Sequence, residues 1–137
     1  MKPIVVFDTN ILISAVLSFT GKPFQCTALA KRGAIESVTC AEILAEFQEK
    51  LIAKLKFDPQ RAESLIHEVL DYSKTVTLPR TLKVVSDDPD DDMVVECAVE
   101  GFATHIVTGD RHLLSLKAYQ DIVILKASDF LSLFFQR

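Results

Sequence analysis

Four acidic residues are far apart in the sequence but stand where a folded chain could bring them together. Asp8 directly follows an apolar run, and Asp110 follows a later apolar run by a short distance. Glu46 lies in a segment with helical periodicity, and Asp92 lies in the first turn of another predicted helix. Ligands of open parallel sheets bind outside the carboxyl ends of the strands, so we expect these carboxylates at one sheet edge.

Carboxylates gathered in this way define a particular chemistry. They repel one another and raise each other's pKa unless a cation neutralises them. A set without a partner His or Cys suits a hard divalent ion, and Mg²⁺ and Mn²⁺ prefer such oxygen ligands. One or two such ions activate a water molecule and stabilise the departing oxygen of a phosphodiester. Such an acid set suits metal-dependent chemistry on a phosphodiester, and this chemistry would require no nucleophilic side chain.

Each acid also has an ordinary structural interpretation. Glu46 and Lys50 have the spacing of an ion pair on a helix surface. Asp8 and Asp110 can each cap the helix that follows, and acids near the start of a helix are favoured by its dipole. Glu42 has the position of a capping-box acid, so Glu46 is the better ligand candidate of the two. Caps need not recur at the ends of buried strands, and this favours the metal site.

The elements that position these acids alternate between strand and helix. Short β-branched or apolar runs predict strands at 4–7, 35–38, 104–107 and 122–125, with further extended segments at 75–78 and 82–85. Helical periodicity and breakers predict helices at 11–18, 24–32, from 39 to about 55, 58–73, from the aspartate run to 101, after 110, and 129–135, with Asn10 capping the first. This alternation predicts an α/β domain with a mostly parallel sheet of about five strands.

Length and composition limit the remaining choices. A chain of 137 residues with 49% apolar residues suits a single domain, 1–137, with a full core. The net charge of −4 owes much to five aspartates within 87–92, so it decides little about nucleic-acid partners. No run approaches a membrane span and no secretory signal is evident, so we expect a cytoplasmic protein. The spacing of Cys26, Cys40 and Cys97 predicts buried thiols instead of disulfides or a zinc site.

Four motifs follow one another along the chain: Val-Val-Phe-Asp8-Thr9-Asn10-Ile-Leu-Ile-Ser14-Ala, Glu42-Ile-Leu-Ala-Glu46-Phe, Asp-Pro-Asp-Asp-Asp92 and Val107-Thr108-Gly109-Asp110-Arg-His-Leu-Leu. In this order they resemble the PIN-domain nucleases, most of all the bacterial and archaeal toxins of toxin–antitoxin pairs. The resemblance implies a three-layer α/β/α sandwich. It also implies Mg²⁺- or Mn²⁺-dependent cleavage of single-stranded RNA, within a homodimer that a cognate antitoxin protein holds inactive.

Carried over position by position, the resemblance assigns the catalytic and metal-binding acids to Asp8, Glu46, Asp92 and Asp110. Asn10 and Thr108 fall on supporting positions. The register of the third acid stays open between neighbouring aspartates, Asp90, Asp91 and Asp92, and the distance to the following helix favours Asp92. Among basic residues that could grip RNA phosphates, the candidates are Lys50, Lys54 and Arg111.

Two other functions remain open at this point. A PIN-like module could bind RNA or protein without cutting, although the complete acid set argues against it. A receiver-type phosphoacceptor also gathers acids at a sheet edge. That class has an acid pair after its first strand and a late Lys-Pro, whereas this chain has Asp8 alone after the first strand and no late Lys-Pro.

Overall fold

A single sheet organises the chain in the computed structural model, which describes residues 2–82 and 89–135. Its strands are β1 (Ile4–Phe7), β2 (Glu36–Cys40), β3 (Ser73–Val76), β4 (His105–Val107), β5 (Ala118–Tyr119) and β6 (Ile122–Leu125). They lie in the order β3-β2-β1-β4-β6-β5, and all neighbours are parallel except β5 with β6. The predicted parallel sheet is confirmed, with six strands because the two-residue β5 adds an edge.

Helices connect these strands. They are α1 (Thr9–Leu17), α2 (Lys22–Lys31), α3 (Ala41–Glu49), α4 (Pro59–Asp71), α5 (Pro89–Glu100), α6 (Arg111–Leu116) and α7 (Ala127–Phe135). A π-helical turn, Lys50–Lys54, prolongs α3 without a break. Within the described residues, no helix has the length and apolar character needed to cross a bilayer.

The strand order places helices on both faces of the sheet. From β1 the chain moves to β2 and β3 on one side, and it then crosses back to β4 on the other side of β1. Parallel crossovers are right-handed, so the helices of these opposite movements cover opposite faces. Helix α5 packs against β1, β2 and β4, while α1 contacts α2, and α2 contacts α7. The expected three-layer α/β/α sandwich is confirmed.

The central strands are apolar because both of their faces are covered. Val5, Val6 and Phe7 of β1 are buried, and so are Ile106 and Val107 of β4. A continuous β-branched run is typical of such strands, whereas a half-exposed strand would alternate. The three cysteines are also buried and free, as their spacing predicts. The candidate site lies at the carboxyl ends of these two buried strands.

Several helix starts differ from the prediction. Helix α1 begins at Thr9 with Asp8 in the capping position, so Asn10 is not the cap. The capping box of Thr39 and Glu42 does not form, because Cys40 occupies the capping position of α3 without a side-chain hydrogen bond.

The extended segment expected at 75–78 is partly correct, because β3 ends at Val76. The segment expected at 82–85 lies outside the described residues after Leu82.

Candidate active site

The reversal of strand order between β1 and β4 creates a crevice at the carboxyl edge of the sheet. Ligands of open α/β sheets bind at this kind of switch point. Asp8 extends the β1–β4 pairing by one step, since its N–H donates to the carbonyl oxygen of Val107 at 3.0 Å. Thr108 and Asp110 follow β4 directly at the same edge. The topology therefore brings the ends of two distant motifs together.

The carboxylate of Asp8 is buried and is held by a hydroxyl group. Only 6% of the residue surface is exposed. The Thr108 hydroxyl donates to Asp8 Oδ2 at 2.7 Å, and Thr108 is itself fully buried. The same hydroxyl oxygen accepts the backbone N–H of Asp110 at 3.0 Å. Thr108 thus connects the first and last acids, and Asp8 makes no side-chain cap on α1.

The electrostatic environment of Asp8 disfavours its charge. Burial raises the pKa of its carboxyl group above the ordinary value of 3.8, and the Thr108 hydrogen bond only partly offsets this. The negative charges of Glu46 and Asp110 raise that pKa further. Three of the predicted acids therefore interact at the crevice.

Asp110 and Glu46 have different surroundings. Asp110 Oδ1 accepts the N–H of His112 at 2.7 Å, so this carboxylate also caps α6. Glu46 is half-buried on α3, and its negative charge is near enough to raise the pKa of the Asp8 carboxyl group. The cap proposed for Asp110 is therefore real, and it coexists with the interaction at the crevice.

The aspartate run occupies the first turn of α5, whose start lies at the carboxyl edge because the helix leads back to the beginning of β4. Asp90 is exposed, Asp92 is half-buried, and Asp91 is buried together with Val94 and Val95. Positions three and four residues apart share a helix face, so Asp91 belongs to the face that packs on the sheet. Asp92 instead lines a cavity of about 600 Å³ with Glu42 among its walls. Burial distinguishes Asp91 from its two neighbours, and which of the three aspartates joins the acids at the crevice stays a prediction.

Another acid of α5, Glu96, has a structural role that its sequence position did not predict. Glu96 is buried, and its carboxylate accepts the backbone N–H groups of Arg80, Thr81 and Leu82 at 3.0 to 3.3 Å. Arg80 has a left-handed backbone with a φ of 62°, and its guanidinium binds Glu42 at 2.9 Å. A charged residue within an apolar helical run was the available signal. Glu96 fixes the segment that leads towards the aspartate run.

Asn10 and Lys50 form a further contact at this edge. Lys50 Nζ donates to Asn10 Oδ1 at 3.0 Å, and it makes no ion pair with Glu46 within the part of the chain that the structure describes. The ordinary helix-surface pair is therefore absent from the described contacts. Asn10 is an exposed residue in the first turn of α1, two residues after Asp8.

The donor set can be compared with the needs of a metal ion. Among residues 2–82 and 89–135, no three His, Cys, Asp or Glu side chains are close enough to enclose an ion. A Mg²⁺ ion does not need such a cage, because it keeps several waters and binds through one or two carboxylates and substrate phosphates. The buried hydroxyl oxygens of Thr9 and Thr39 have no hydrogen-bond partner within the described chain. The carboxylate oxygens of Asp8, Glu46 and Asp110 are the donor type that Mg²⁺ and Mn²⁺ prefer.

Fold and site together define a class: an α/β sandwich with interacting carboxylates at the switch point of its sheet. Residues 4–112 match the family model of the PIN domain. Because this match covers most of the chain, the protein belongs to the PIN-domain family. The family membership confirms the resemblance drawn from the motifs and leaves the receiver-type alternative without support.

Two similar proteins extend this result. The chain is 32% identical over 116 residues to an uncharacterized protein of Methanocaldococcus jannaschii, covering 82% of this chain and 74% of that protein. Its fold is similar to a chain in the crystal structure of VapBC2 from Rickettsia felis bound to a DNA fragment from their promoter. That likeness has a TM-score of 0.61 at 17% identity and covers 88% of this chain and 96% of the other.

Proposed function

We propose that this protein is a Mg²⁺- or Mn²⁺-dependent endoribonuclease that hydrolyses phosphodiester bonds of single-stranded RNA. The observation that carries the proposal is the buried Asp8 carboxylate, bound by Thr108 and surrounded by the charges of Glu46 and Asp110. Enclosing repelling carboxylates is unfavourable for the fold alone, and a bound cation would relieve the repulsion. Membership of the PIN-domain family supports the same chemistry.

Asp8, Glu46 and Asp110 are the proposed ligands of the ion, with a fourth acid from the start of α5. The buried position of Asp91 on the sheet-facing side supports Asp91 over Asp92 in this role. A divalent ion at such a site supplies an activated water and stabilises the departing oxygen of the phosphodiester. Thr108 fixes the orientation of the Asp8 carboxylate through its hydroxyl group.

Single-stranded RNA is proposed as the substrate because an open crevice at a sheet edge suits a strand whose bases can be splayed apart. The same proposal includes the toxin role, with a cognate antitoxin protein as partner. The fold likeness to a chain of the VapBC2 structure supports this role. Three reduced cysteines are in keeping with action in the cytoplasm.

A homodimer is part of the proposal as well. Leu17, Phe19 and Leu133 are large apolar side chains that are more than half exposed. Such side chains supply the apolar area that an interface between two subunits would bury.

The second candidate is a PIN-like module that binds RNA or protein without cutting it. It is favoured by the spacing of the carboxylates, since no three of the described ones enclose an ion. A direct assay of RNA cleavage distinguishes an enzyme from a module that only binds.

The assay incubates purified protein with end-labelled single-stranded RNA in Mn²⁺, in Mg²⁺ and in EDTA. The wild type is compared with Asp8→Asn, Asp91→Asn, Asp92→Asn and Asp90→Asn, and circular dichroism verifies that each is folded. We expect cleavage by the wild type in metal alone, loss of cleavage in Asp8→Asn and Asp91→Asn, and retention in Asp90→Asn. Loss of cleavage in Asp92→Asn with retained cleavage in Asp91→Asn would instead assign the fourth acid to Asp92, as the resemblance in the sequence implies. Failure of folded wild type to cut several RNAs would favour the binding module.

A further inference from the structure

One basic side chain is fixed at the rim of the carboxylate crevice. Lys50 lies one helical turn after Glu46, at the point where α3 changes into the π-helical turn Lys50–Lys54. Its ammonium group reaches across to Asn10 on α1 and donates at 3.0 Å. The contact joins two residues that are 40 positions apart. It therefore orients a cation near the end of β1.

The ammonium group has more donors than this contact uses. A lysine carries three N–H donors, and Asn10 accepts one of them. Within residues 2–82 and 89–135, Lys50 makes no ion pair with a carboxylate, although Glu46 and Glu49 are on the same helix. The remaining donors suit an anionic oxygen supplied by a ligand.

Some other basic side chains of the described residues can be compared with Lys50. Several are bound by carboxylates: Lys31 by Glu68, Lys74 by Glu36 and Arg80 by Glu42. Lys54 is exposed, and its side chain makes no hydrogen bond or ion pair within the same described residues. Lys50 differs because a neutral amide holds it, so it is positioned while its charge is retained.

The π-helical turn gives a structural reason for this position. A π-turn bonds residues five apart, and such turns occur frequently at functional sites. Here the N–H of Leu55 donates to the carbonyl oxygen of Lys50 at 3.1 Å, and Leu51 is fully buried. The buried Leu51 anchors the wide turn, so the backbone that carries Lys50 is fixed on the core side.

We propose that Lys50, oriented by Asn10, binds a phosphate of the RNA strand that lies across the carboxylate crevice. This inference rests on the proposed function, since it assumes that the crevice accepts RNA. A cation beside clustered carboxylates reduces the repulsion that a polyanionic strand meets there. Lys50 is a positioning residue for the strand, and Asn10 acts through Lys50.

The salt dependence of binding tests this inference without cleavage. Labelled single-stranded RNA is titrated with protein in EDTA at several salt concentrations, and fluorescence anisotropy gives the association constant. Each phosphate contact on a single strand contributes about 0.7 to the slope of log K against log salt. We expect Lys50→Gln to weaken binding several-fold at low salt and to reduce the slope by about 0.7.

Matched variants separate position from charge. Lys54→Gln removes the same charge from the same turn, where no described side chain holds it, and should reduce the slope by less than Lys50→Gln does. Lys50→Arg should restore the slope, and Asn10→Ala should weaken binding less than Lys50→Gln does. Equal slopes for the wild type and Lys50→Gln would overturn the inference, and so would equal losses in Lys50→Gln and Lys54→Gln.

The two proposals fail in distinguishable ways. Cleavage by the wild type in Mn²⁺ with an unchanged salt slope in Lys50→Gln would refute the phosphate contact and leave the nuclease in place. A reduced slope in Lys50→Gln with no cleavage of any RNA would support the contact and refute the nuclease. Thermal unfolding of Lys50→Gln should match that of the wild type, because Lys50 is only half-buried.

Discussion

Removing the Thr108 hydroxyl should destabilise the protein and reduce any metal-dependent activity. In Thr108→Val the side chain keeps its shape but loses the donor to Asp8 Oδ2 and the acceptor for the Asp110 N–H. The hydrogen bond between the Thr108 hydroxyl and Asp8 Oδ2 is buried, so water does not easily replace the lost partner. The carboxylate would also lose the one side-chain hydrogen bond that lowers its pKa.

The magnitude follows from the two hydrogen bonds. A hydrogen bond to a charged group contributes about 1.5–3 kcal/mol, and a neutral one about 0.5–1.5 kcal/mol. Thr108→Val should therefore lower the free energy of unfolding by roughly 2–4 kcal/mol. Thr108→Ser retains the hydroxyl group and should lose only the methyl packing, about 1 kcal/mol.

Urea unfolding followed by circular dichroism, in EDTA, measures these differences. In an Asp8→Asn background the acceptor is neutral, so Thr108→Val should cost about 1 kcal/mol less than in the wild type. A loss below about 0.5 kcal/mol in Thr108→Val would refute the assignment of this hydrogen bond, since exposed positions behave in that way. Equal losses in the Val and Ser variants would refute it as well.

Two further predictions concern the fold and the charge of the site. Gly101→Ala should lower the free energy of unfolding by about 1–3 kcal/mol, because its Cβ would overlap a methyl group of Val38. Gly109→Ala, with no neighbouring atom within 4 Å of its Cβ, should change that free energy by less than about 0.5 kcal/mol. Urea unfolding midpoints compare the two variants, and equal midpoints would contradict the close packing of α5 on β2. Burial raises the pKa of Asp8 above its ordinary value of 3.8 in the folded protein, so the folded state holds the Asp8 proton more tightly than the unfolded state does. Protonation of Asp8 therefore stabilises the fold fully at a pH below 3.8, and this stabilisation is lost as the pH rises through the raised pKa. In EDTA, the stability of Asp8→Asn relative to the wild type should therefore increase with pH over this interval. Urea unfolding of both proteins between about pH 4 and about pH 8 measures the difference. A difference that does not change with pH would contradict the raised pKa.

The strands and helices that carry the acids could be predicted because their patterns are local. The run 4–7 is apolar at every position, and Val5 to Phe7 are buried on both faces. Gly101 ends α5 where the pattern breaks, and Asp58 with Pro59 opens α4 as expected. The short strand Ala118–Tyr119 could not be predicted, because two residues carry no periodicity and pair only through the neighbouring β6.

The contacts within the site depend on tertiary structure and were not predictable in the same way. The spacing of Glu46 and Lys50 favours an ion pair, but the π-helical turn and the position of Asn10 decide the contact that forms. Glu96 looks like a surface acid by type, yet three backbone N–H groups from a distant segment satisfy it. A side chain that binds a distant backbone leaves no spacing pattern in the sequence.

The central position of Asp8 connects the stability of the fold with its chemistry. Strand β1 lies between β2 and β4, so its end is held on both sides and cannot move to relieve the repulsion among the acids. Such rigidity keeps a carboxylate oriented before any ligand arrives, which reduces the reorganisation that a reaction requires. The same rigidity makes the ligand-free protein less stable than a neutral variant would be. Under the proposed function, a bound cation at free concentration c would stabilise the folded state by RT ln(1 + c/Kd), and this would offset the unfavourable cluster of acids at the carboxyl edge of the sheet.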